Sequence, residues 1–289
     1  MKKILLIAVL IAACLSVTAY VACVATPLLG KSVKGSGHIV TKTIDAPDFN
    51  GIEASRAVKV VVSDDMSDKI RIEADDNLID LTVVEVSRGK LVVTLDKKVN
   101  SISNADITVT VPANGHIRSL HASSASKIRS EVTLKADKFS IDASSAAGIK
   151  AAVEATSCDI GASSSAKIEV TAQTTSCKLE ASSAAKIAAC VTATECSAGA
   201  SSAAKITLAG SADTFRADLS SAAKLDAGKF TAVNATIDTS SAAGATIDCS
   251  GKLTASASSG SKIRYTGDCQ TSLARSAVMW MYLALATSL

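Results

Sequence analysis

The sequence predicts an all-β fold, a right-handed parallel β-helix with about 19 to 20 residues in each coil. The first observation is a motif close to Ala-Ser-Ser-Ala-Ala-Lys-Ile, which recurs eight times, roughly every 20 residues. Such periods are typical of solenoids, because one repeat cannot bury its apolar face alone and must stack on its neighbours. The first serines of the motif are Ser123, Ser144, Ser163, Ser182, Ser201, Ser220, Ser240 and Ser258.

The second observation is that apolar residues occupy every second position on both sides of the motif. Alternation of this kind is the pattern of a half-buried strand, whose successive side chains point to opposite faces. We therefore predict two or three strands of about five residues in each coil. The residue five positions after the first serine should form one inward column, made of Ile128, Ile149, Ile168, Ile187, Ile206, Leu225, Ala245 and Ile263.

The third observation concerns residues that interrupt regular structure. All three prolines, Pro27, Pro47 and Pro112, precede the repeats, which agrees with uninterrupted strand ladders afterwards. A left-handed β-helix built on hexapeptides would keep a constant period. The spacings here vary from 18 to 21, so we favour the right-handed form. An α-helical solenoid is disfavoured, since poor helix formers such as Gly, Thr, Val and Ser recur throughout the repeats.

The chain opens with a predicted export segment at residues 1–25, in which Lys2 and Lys3 precede an apolar run. Three outcomes are open for this segment. They are cleavage after Ala19, lipidation of Cys14 in a lipoprotein-like box, or retention as a membrane anchor. We favour simple cleavage. Each outcome places the remainder outside the cytoplasm, at the cell surface, the outer membrane or the periplasm, with membrane contact only through this segment.

We predict one β-helix domain over residues 35–267, followed by a C-terminal tail or cap at residues 268–289. Residues 35–112 contain the longer strands, separated by turn signals. They are interpreted either as irregular first coils or as a cap over the open end, because an exposed strand edge invites association. Residues 113–267 hold the eight repeats.

Recognisable stretches follow one another along the predicted β-helix domain: Gly35–Glu53, Val58–Ala74, Asp76–Leu78, Gly89–Val93, Ile107–Pro112, the repeats, and Ser259–Gly267. In this order they resemble the head GIN domain family of bacterial auto-transporter adhesins. The resemblance extends over the whole predicted β-helix domain and implies an exported, right-handed parallel β-helix with a role in adhesion or surface structure. It supplies no catalytic residues. The family usually carries glycine in Ser-Gly-Ser-Gly corners, whereas most corners here read Ser-Ser-Ala-Ala.

A lysine lies four positions after the first serine in six of the eight repeats, with Gly148 and Gly244 interrupting the series. On a solenoid these lysines would form a stripe that attracts anionic polysaccharide or phosphate-bearing surfaces. The other interpretation is a solvated edge that prevents sideways sheet pairing. The net charge of +3 implies no strongly charged partner such as nucleic acid. We expect a surface ligand, either a glycan or an envelope protein, and leave a homo-oligomer open. The predicted ligand-binding residues are Lys127, Lys167, Lys186, Lys205, Lys224 and Lys262.

Three cysteines, Cys158, Cys177 and Cys196, follow one another at the repeat spacing and should stack in one inward column between Phe139 and Phe215. They are interpreted as small core hydrophobes. Neighbouring coils are close enough for a disulfide, but three members cannot pair completely. No metal site or cofactor is predicted, because the sequence has no C-x-x-C motif and its three histidines lie outside the column.

An enzymatic alternative rests on outward carboxylates, because β-helical polysaccharide lyases and hydrolases need paired acids with a basic residue nearby. Only Asp218 and Asp238, near Lys224, fall on adjacent coils of the repeats. Aromatic residues make up 3% of the chain, which leaves few platforms for a sugar. We therefore predict a non-enzymatic, adhesin-like surface module. The alternatives are a polysaccharide lyase or hydrolase, and a purely structural envelope protein.

Overall fold

The computed structural model describes residues 31–64, 68–275 and 282–283, and within these residues the fold is almost entirely β. A single 3₁₀ turn, Ile79–Leu81, is the helical exception among them. The strands in chain order are β1 Lys31–Lys34, β2 Ile39–Asp45, β3 Gly51–Ala54, β4 Lys59–Ser63, β5 Lys69–Asp75, β6 Thr82–Ser87, β7 Lys90–Leu95, β8 Val99–Ser103, β9 Ile107–Pro112, β10 Ser119–Ala122, β11 Lys127–Ala143, β12 Gly148–Ala162, β13 Lys167–Ala181, β14 Lys186–Ala200, β15 Lys205–Leu219, β16 Lys224–Thr239, β17 Gly244–Ala257, β18 Lys262–Thr266, β19 Gln270–Arg275 and β20 Tyr282–Leu283.

Each repeat forms one coil that pairs in parallel with the coils before and after it. In the pairing of β13 with β14, Lys167 lies opposite Lys186 and Ala181 lies opposite Ala200, so the offset is one repeat. The same type of pairing joins β11 through β17. The predicted parallel β-helix is therefore confirmed.

The strands are longer than the sequence predicted. Instead of two or three strands of about five residues, each coil from β11 to β17 has one strand of 14 to 17 residues. In β13 the side chains of Ile168, Val170 and Ala172 are buried. The alternation is then interrupted at residues 173–176 and resumes with Cys177. This interruption is the second corner of the coil, and pairing with the neighbouring coils continues through most of it.

The Ser-Ser-Ala-Ala corner is a tight turn with a left-handed backbone at its two central residues. Ser183 has a φ of 51° and Ala184 a φ of 59°, and the Ala185 N–H donates to the Ser182 carbonyl at 3.0 Å. Positive φ at both central positions defines a type I′ turn. The Ala184 N–H also donates to the Ser202 carbonyl of the next coil at 3.0 Å. The turns therefore stack by hydrogen bonds as well as by their small side chains.

The inward side chains form one core along the array. The predicted inward column from Ile128 to Ile263 is buried at every position, including Ile168 and Ile187 at 0% and 1% exposure. The cysteine column is buried too, and the ring centroids of Phe215 and Phe230 lie 5.2 Å apart beside it. Both inward columns predicted from the spacing are confirmed, which fixes the outward positions as well.

The coils at the N-terminal end do not follow the order of the chain. Strands β3 and β4 form a coil around a turn at Ser55–Val58, and this coil pairs with β10 and β11 of the first repeat. On its other side it pairs with β7 and β9, which come later in the sequence. Strand β5 then runs antiparallel to β2 and β9, and β6 antiparallel to β7. Residues 35–112 thus contain both a regular coil and strands that cover its end.

At the other end, β18 and β19 continue the ladder of β17. The short strand β20 pairs in parallel with Arg264–Tyr265 of β18. Part of the C-terminal segment therefore adds to the last coil. Residues 276–281 and 284–289 of that segment lie outside the described residues.

Candidate functional site

The predicted lysines lie in one column on the outside of the coils. Ladder pairing places Lys167, Lys186, Lys205 and Lys224 directly opposite one another in successive strands. Glycines occupy the same column in β12 and β17, as expected. All six predicted side chains are exposed. We call this feature the lysine column; it consists of Lys59, Lys127, Lys167, Lys186, Lys205, Lys224 and Lys262.

Lys59 is the member that sequence reasoning missed. It lies opposite Lys127 in the pairing of β4 with β11. The signal was present, because Lys59 follows Ser55 by the same interval as Lys127 follows Ser123. It was missed for two reasons. Ser55-Arg56-Ala57-Val58 does not resemble Ser-Ser-Ala-Ala, and this coil pairs with strands that are not its neighbours in the sequence.

The electrostatics differ along the lysine column. Near its N-terminal end, Lys59 Nζ lies 2.9 Å from Asp106 Oδ1, and Lys167 Nζ lies 2.6 Å from Glu169 Oε1. The hydrogen bond and charge of Lys167, with help from Lys150, hold the pKa of Glu169 below its usual range. The other five members of the column form no ion pair with any described residue, and three of them, Lys186, Lys205 and Lys224, are consecutive. The backbones of these three lysines are about 4.8 Å apart, so their like charges lie close together without a carboxylate at ion-pair distance.

A second outward surface lies on the strand segments that precede the turns. It is a groove of about 900 Å³, lined by side chains of both charges and by glycines. Lys178 Nζ lies 3.1 Å from Glu180 Oε1, and Arg216 Nε lies 3.1 Å from Asp218 Oδ2. We call this surface the carboxylate groove. Apart from the first serines of five turns, its polar and glycine positions are His121, Asp142, Gly161, Lys178, Glu180, Ser197, Gly199, Arg216 and Asp218.

The acid pair considered for catalysis has a different basic neighbour from the one that the sequence suggested. Asp218 and Asp238 do lie opposite each other in β15 and β16. Their basic neighbour is Arg216 rather than Lys224: its Nη2 nitrogen lies 3.6 Å from Asp238 Oδ2, and its Nε contacts Asp218. Lys224 lies beyond the turn and pairs with neither carboxylate among the described residues. Both acids therefore serve as ion-pair partners of one guanidinium group.

The cysteine column has the chemistry of a packed core. Phe139, Cys158, Cys177, Cys196 and Phe215 face one another in register. The three thiols are buried and free. A hydrogen bond with the Cys177 thiol, followed by burial, raises the pKa of the Cys158 thiol, so it resists forming the reactive thiolate.

The remaining cysteines differ in exposure. Cys190 is an exposed free thiol on β14, Cys249 is buried, and Cys269 is half-buried. Burial, followed by the neighbouring Cys249, raises the pKa of Cys269 to about 11. Within the residues described, no three His, Cys, Asp or Glu side chains are grouped so as to hold a metal ion.

The predicted export segment and Cys14 lie outside the described residues. In the part of the chain that the structure describes, no helix is long and apolar enough to cross a membrane.

Three solved structures share this architecture. A putative adhesin from Parabacteroides merdae is 22% identical, with a TM-score of 0.65, over 87% of this chain and 98% of that chain. A putative adhesin from Parabacteroides distasonis is 18% identical, with a TM-score of 0.65, over 87% of this chain and 98% of that chain. A third structure, named a putative lipid binding protein of Parabacteroides distasonis, is 17% identical, with a TM-score of 0.60, over 88% and 98%. At these identities the likeness establishes a shared fold.

The search of curated proteins finds no match. The family model described as putative auto-transporter adhesin, head GIN domain, matches residues 48–190 and again residues 171–269. The two matches overlap inside the repeats, as expected where one coil resembles the next. Since they span well over half of the sequence, the chain belongs to the head GIN domain family of putative auto-transporter adhesins.

Proposed function

We propose that this protein is an exported, non-catalytic, adhesin-like module of the bacterial envelope that holds an anionic polymer along its lysine column. The observation that carries the proposal is the run of Lys186, Lys205 and Lys224, which lie in register without a carboxylate partner among the described residues. Unneutralised like charges at one spacing attract a chain that carries its own repeated charges. The membership in an adhesin-like family supports the same reading.

The binding energy would be spread over several coils. A single exposed ion pair contributes about 0.2 to 1 kcal/mol, so no one lysine can hold a ligand firmly. Several contacts to one polymer act together, because each contact after the first forms at high effective concentration. Binding should therefore weaken steeply as salt is added, since the contacts are exposed and screened.

The test compares two triple variants with the same change in net charge. The first, Lys186→Gln with Lys205→Gln and Lys224→Gln, removes the three consecutive lysines that form no ion pair with any described residue. The control, Lys42→Gln with Lys69→Gln and Lys135→Gln, removes exposed lysines whose carboxylate partners are Asp80, Asp45 and Glu154. Binding to alginate is measured by calorimetry at two salt concentrations. The column variant should lose affinity on the order of tenfold and most of its salt dependence, while the control keeps both.

Three results would contradict the proposal. Equal affinity of the two triple variants would show that only net charge matters. Binding to vesicles of anionic phospholipid in preference to alginate would favour a lipid surface, the ligand class named for one structural neighbour. Reducing or unsaturated ends released from alginate would instead favour a lyase or hydrolase that uses Asp218 and Asp238.

The cellular location has its own test. Protease shaving of intact cells, followed by mass spectrometry, should release repeat peptides from Lys127 onward if the array lies on the outer surface. Protection until the envelope is opened would place the array in the periplasm and favour a structural or partner-binding role there. The same spectra identify the mature amino terminus, and with it the fate of Cys14.

A further inference from the structure

Two cysteines lie at the same corner of neighbouring coils, at the C-terminal end of the array. Cys249 belongs to β17 and is fully buried. Cys269 directly precedes β19 on the next coil and is half-buried, with its side chain packed against the core. The repeat motif contributes to neither position, so the pair is a feature of this end alone.

Ladder pairs hold the two chain segments together on both sides of the corner. Before it, Asp248 lies opposite Thr266. After it, Lys252 lies opposite Gln270. Three residues of each segment lie between these pairs, and each set of three contains one of the two cysteines. The flanking pairs therefore restrict how far the cysteines can move apart.

The next coil crosses directly over Cys249. A Cβ at Gly267 would overlap the carbonyl oxygen of Cys249, and Gly267 has a φ of 91°, which glycine adopts readily. Cys269 follows two residues later. The Cys249 thiol donates to the carbonyl oxygens of Lys252 at 3.4 Å and Val233 at 3.6 Å. Because S–H is a weak donor, these contacts leave the sulfur free to react.

The corner brings the two thiols into contact. The register of the flanking pairs places Cys249 opposite Gly267, so Cys269 would be a diagonal neighbour in a flat sheet. The bend at Gly267 and Asp268 turns the chain back, and the Cys249 thiol is a side-chain hydrogen-bond partner of Cys269. Neighbouring coils are about 4.8 Å apart, which is inside the range of Cα separations that a disulfide bridges.

The other described cysteines lack one of the two requirements for a disulfide, which are a neighbouring thiol and access to an oxidant. The cysteine column has neighbouring thiols, but all of them are buried. Cys190 is exposed, but its neighbours in the ladder are Thr171 and Ala209. Cys269 has both, because it reaches the surface and contacts Cys249.

We propose that Cys249 and Cys269 form a disulfide that fastens β19 to the last full coil once the chain has left the cytoplasm. The proposal goes beyond ligand binding and takes from the proposed function only the export of the chain, since disulfides form and persist in exported proteins. The terminal coil of a solenoid is supported by a neighbour on one side only. A covalent bond between the two coils compensates for the missing neighbour.

The bond forms by exchange with a disulfide oxidant, either a protein disulfide or oxidised glutathione. The thiolate of Cys269 attacks one sulfur of the oxidant, whose S–S bond breaks, and the departing sulfur takes up a proton. The thiolate of Cys249 then attacks Cys269 Sγ and displaces the second thiol, which is protonated in turn. The two cysteines lose two electrons and two protons, and the oxidant disulfide becomes two thiols.

The experiment starts from the full chain purified with reductant, so that all its described thiols are free. The chain is oxidised with oxidised glutathione at mildly alkaline pH, the remaining thiols are alkylated, and the protein is digested with trypsin. Cleavage after Lys252 and Arg264 separates the two cysteines. We expect a joined pair of peptides, residues 230–252 and 265–275, that comes apart on reduction.

Three single variants define the bond. Cys269→Ser and Cys249→Ser should each abolish the joined peptides, and serine at either position keeps a hydroxyl donor. Cys190→Ser is the matched control, because it removes an exposed thiol elsewhere and should leave the joined peptides unchanged. In the parent and the control, oxidation should slow hydrogen exchange of β19 on the order of a hundredfold. The other two variants should show no such change.

The bond is also sought in the protein as cells make it, by adding an alkylating agent before lysis. The joined peptides should be present. Three results overturn the inference: free Cys249 and Cys269 in the trapped protein, linkage of Cys269 to a cysteine other than Cys249, or equal exchange of β19 in the reduced and oxidised forms. The triple lysine variant retains every cysteine, so its alginate binding is decided separately from the disulfide.

Discussion

The N-terminal coil and the repeat array close their coils with the same turn but with different residues. In the N-terminal coil, Arg56 and Ala57 both have a φ of 62°. In the array, Ser183 and Ala184 hold φ values of 51° and 59°. In both places an N–H of the second central residue donates to the neighbouring coil, as Ala57 does to Ser124 at 2.9 Å. Stacking against a neighbour therefore maintains the left-handed turn without glycine.

The two regions differ in the side chains that fill their cores and in the contacts that stabilise them. The N-terminal coils bury Ile52, Val60, Leu91 and Val109, whereas the middle coils bury many alanines and cysteines. The N-terminal end also has a buried anchor: Asp75, 1% exposed, accepts from the Gly37 N–H at 2.7 Å and the Asp106 N–H at 2.9 Å. The array depends on repetition, in which each coil is supported by its neighbours. The N-terminal end depends on particular contacts.

The largest effect is expected from a charge placed in the core of the array. Ile187→Asp buries an unpaired carboxyl group and should destabilise the middle coils by several kcal/mol. Thr192→Asp, on the exposed side of the same strand, is the control. Thermal unfolding followed by circular dichroism measures both, and hydrogen exchange locates the loss. An unchanged melting curve for Ile187→Asp would show that this residue is not inward in solution.

A pH effect should distinguish the N-terminal end from the array. The Asp106 and then the Gly37 N–H groups hold the pKa of Asp75 below its usual value. A lowered folded-state pKa stabilises the fold above the unfolded-state pKa of about 3.9, and that stabilisation is lost as the pH falls through the folded-state pKa. Hydrogen exchange in β2, β5 and β9 should accelerate below about pH 4, before exchange in the array.

The variant Asp75→Asn tests the source of this pH effect. It should loosen the same three strands at neutral pH, because an amide is a weaker acceptor for two N–H donors. It should also remove part of their acid sensitivity. If the parent and Asp75→Asn lose protection over the same pH range, another carboxyl group is responsible.

The inward and outward positions of each coil in the array were predictable from sequence, whereas the order in which the first coils pair was not. The repeat period placed Ile187, the cysteine column and the lysines correctly, because every ladder pair in the array is one repeat away. The coil of β3 and β4, by contrast, pairs with strands that lie two or more repeat lengths further along the chain. No periodic signal reports such pairing, so Lys59 was missed.

The candidate groove and the turns were hidden for different reasons. The outward acids were visible in the spacing, but the sequence did not show that Lys178 and Arg216 are the basic side chains that contact Glu180 and Asp218. The left-handed turns were hidden because Ser and Ala rarely adopt positive φ, which is the region that glycine prefers. Inter-coil hydrogen bonds from residues such as Ala184 make these conformations acceptable, and sequence alone does not reveal them.

A smaller effect is expected from the turns themselves. Ala184→Gly should stabilise the array by about 1 kcal/mol, because a Cβ at positive φ is unfavourable by about that amount. The last turn offers the reverse change, since Gly260 has a φ of 73° and Gly260→Ala should be destabilising. Denaturant unfolding measures both variants. Opposite signs are required; a loss of stability in Ala184→Gly would show that its methyl group contributes through packing.

The smallest change is chemical and leaves the fold intact. Among the described cysteines of the native protein at neutral pH, iodoacetamide should alkylate Cys190 first, because it is exposed. Cys269 should react slowly until the pH approaches its pKa of about 11, since the thiolate is the nucleophile. Mass spectrometry of the alkylated peptides gives the order. Cys158, Cys177 and Cys196 should stay unlabelled, and early labelling of this column in Asp75→Asn would show that the array needs its N-terminal anchor.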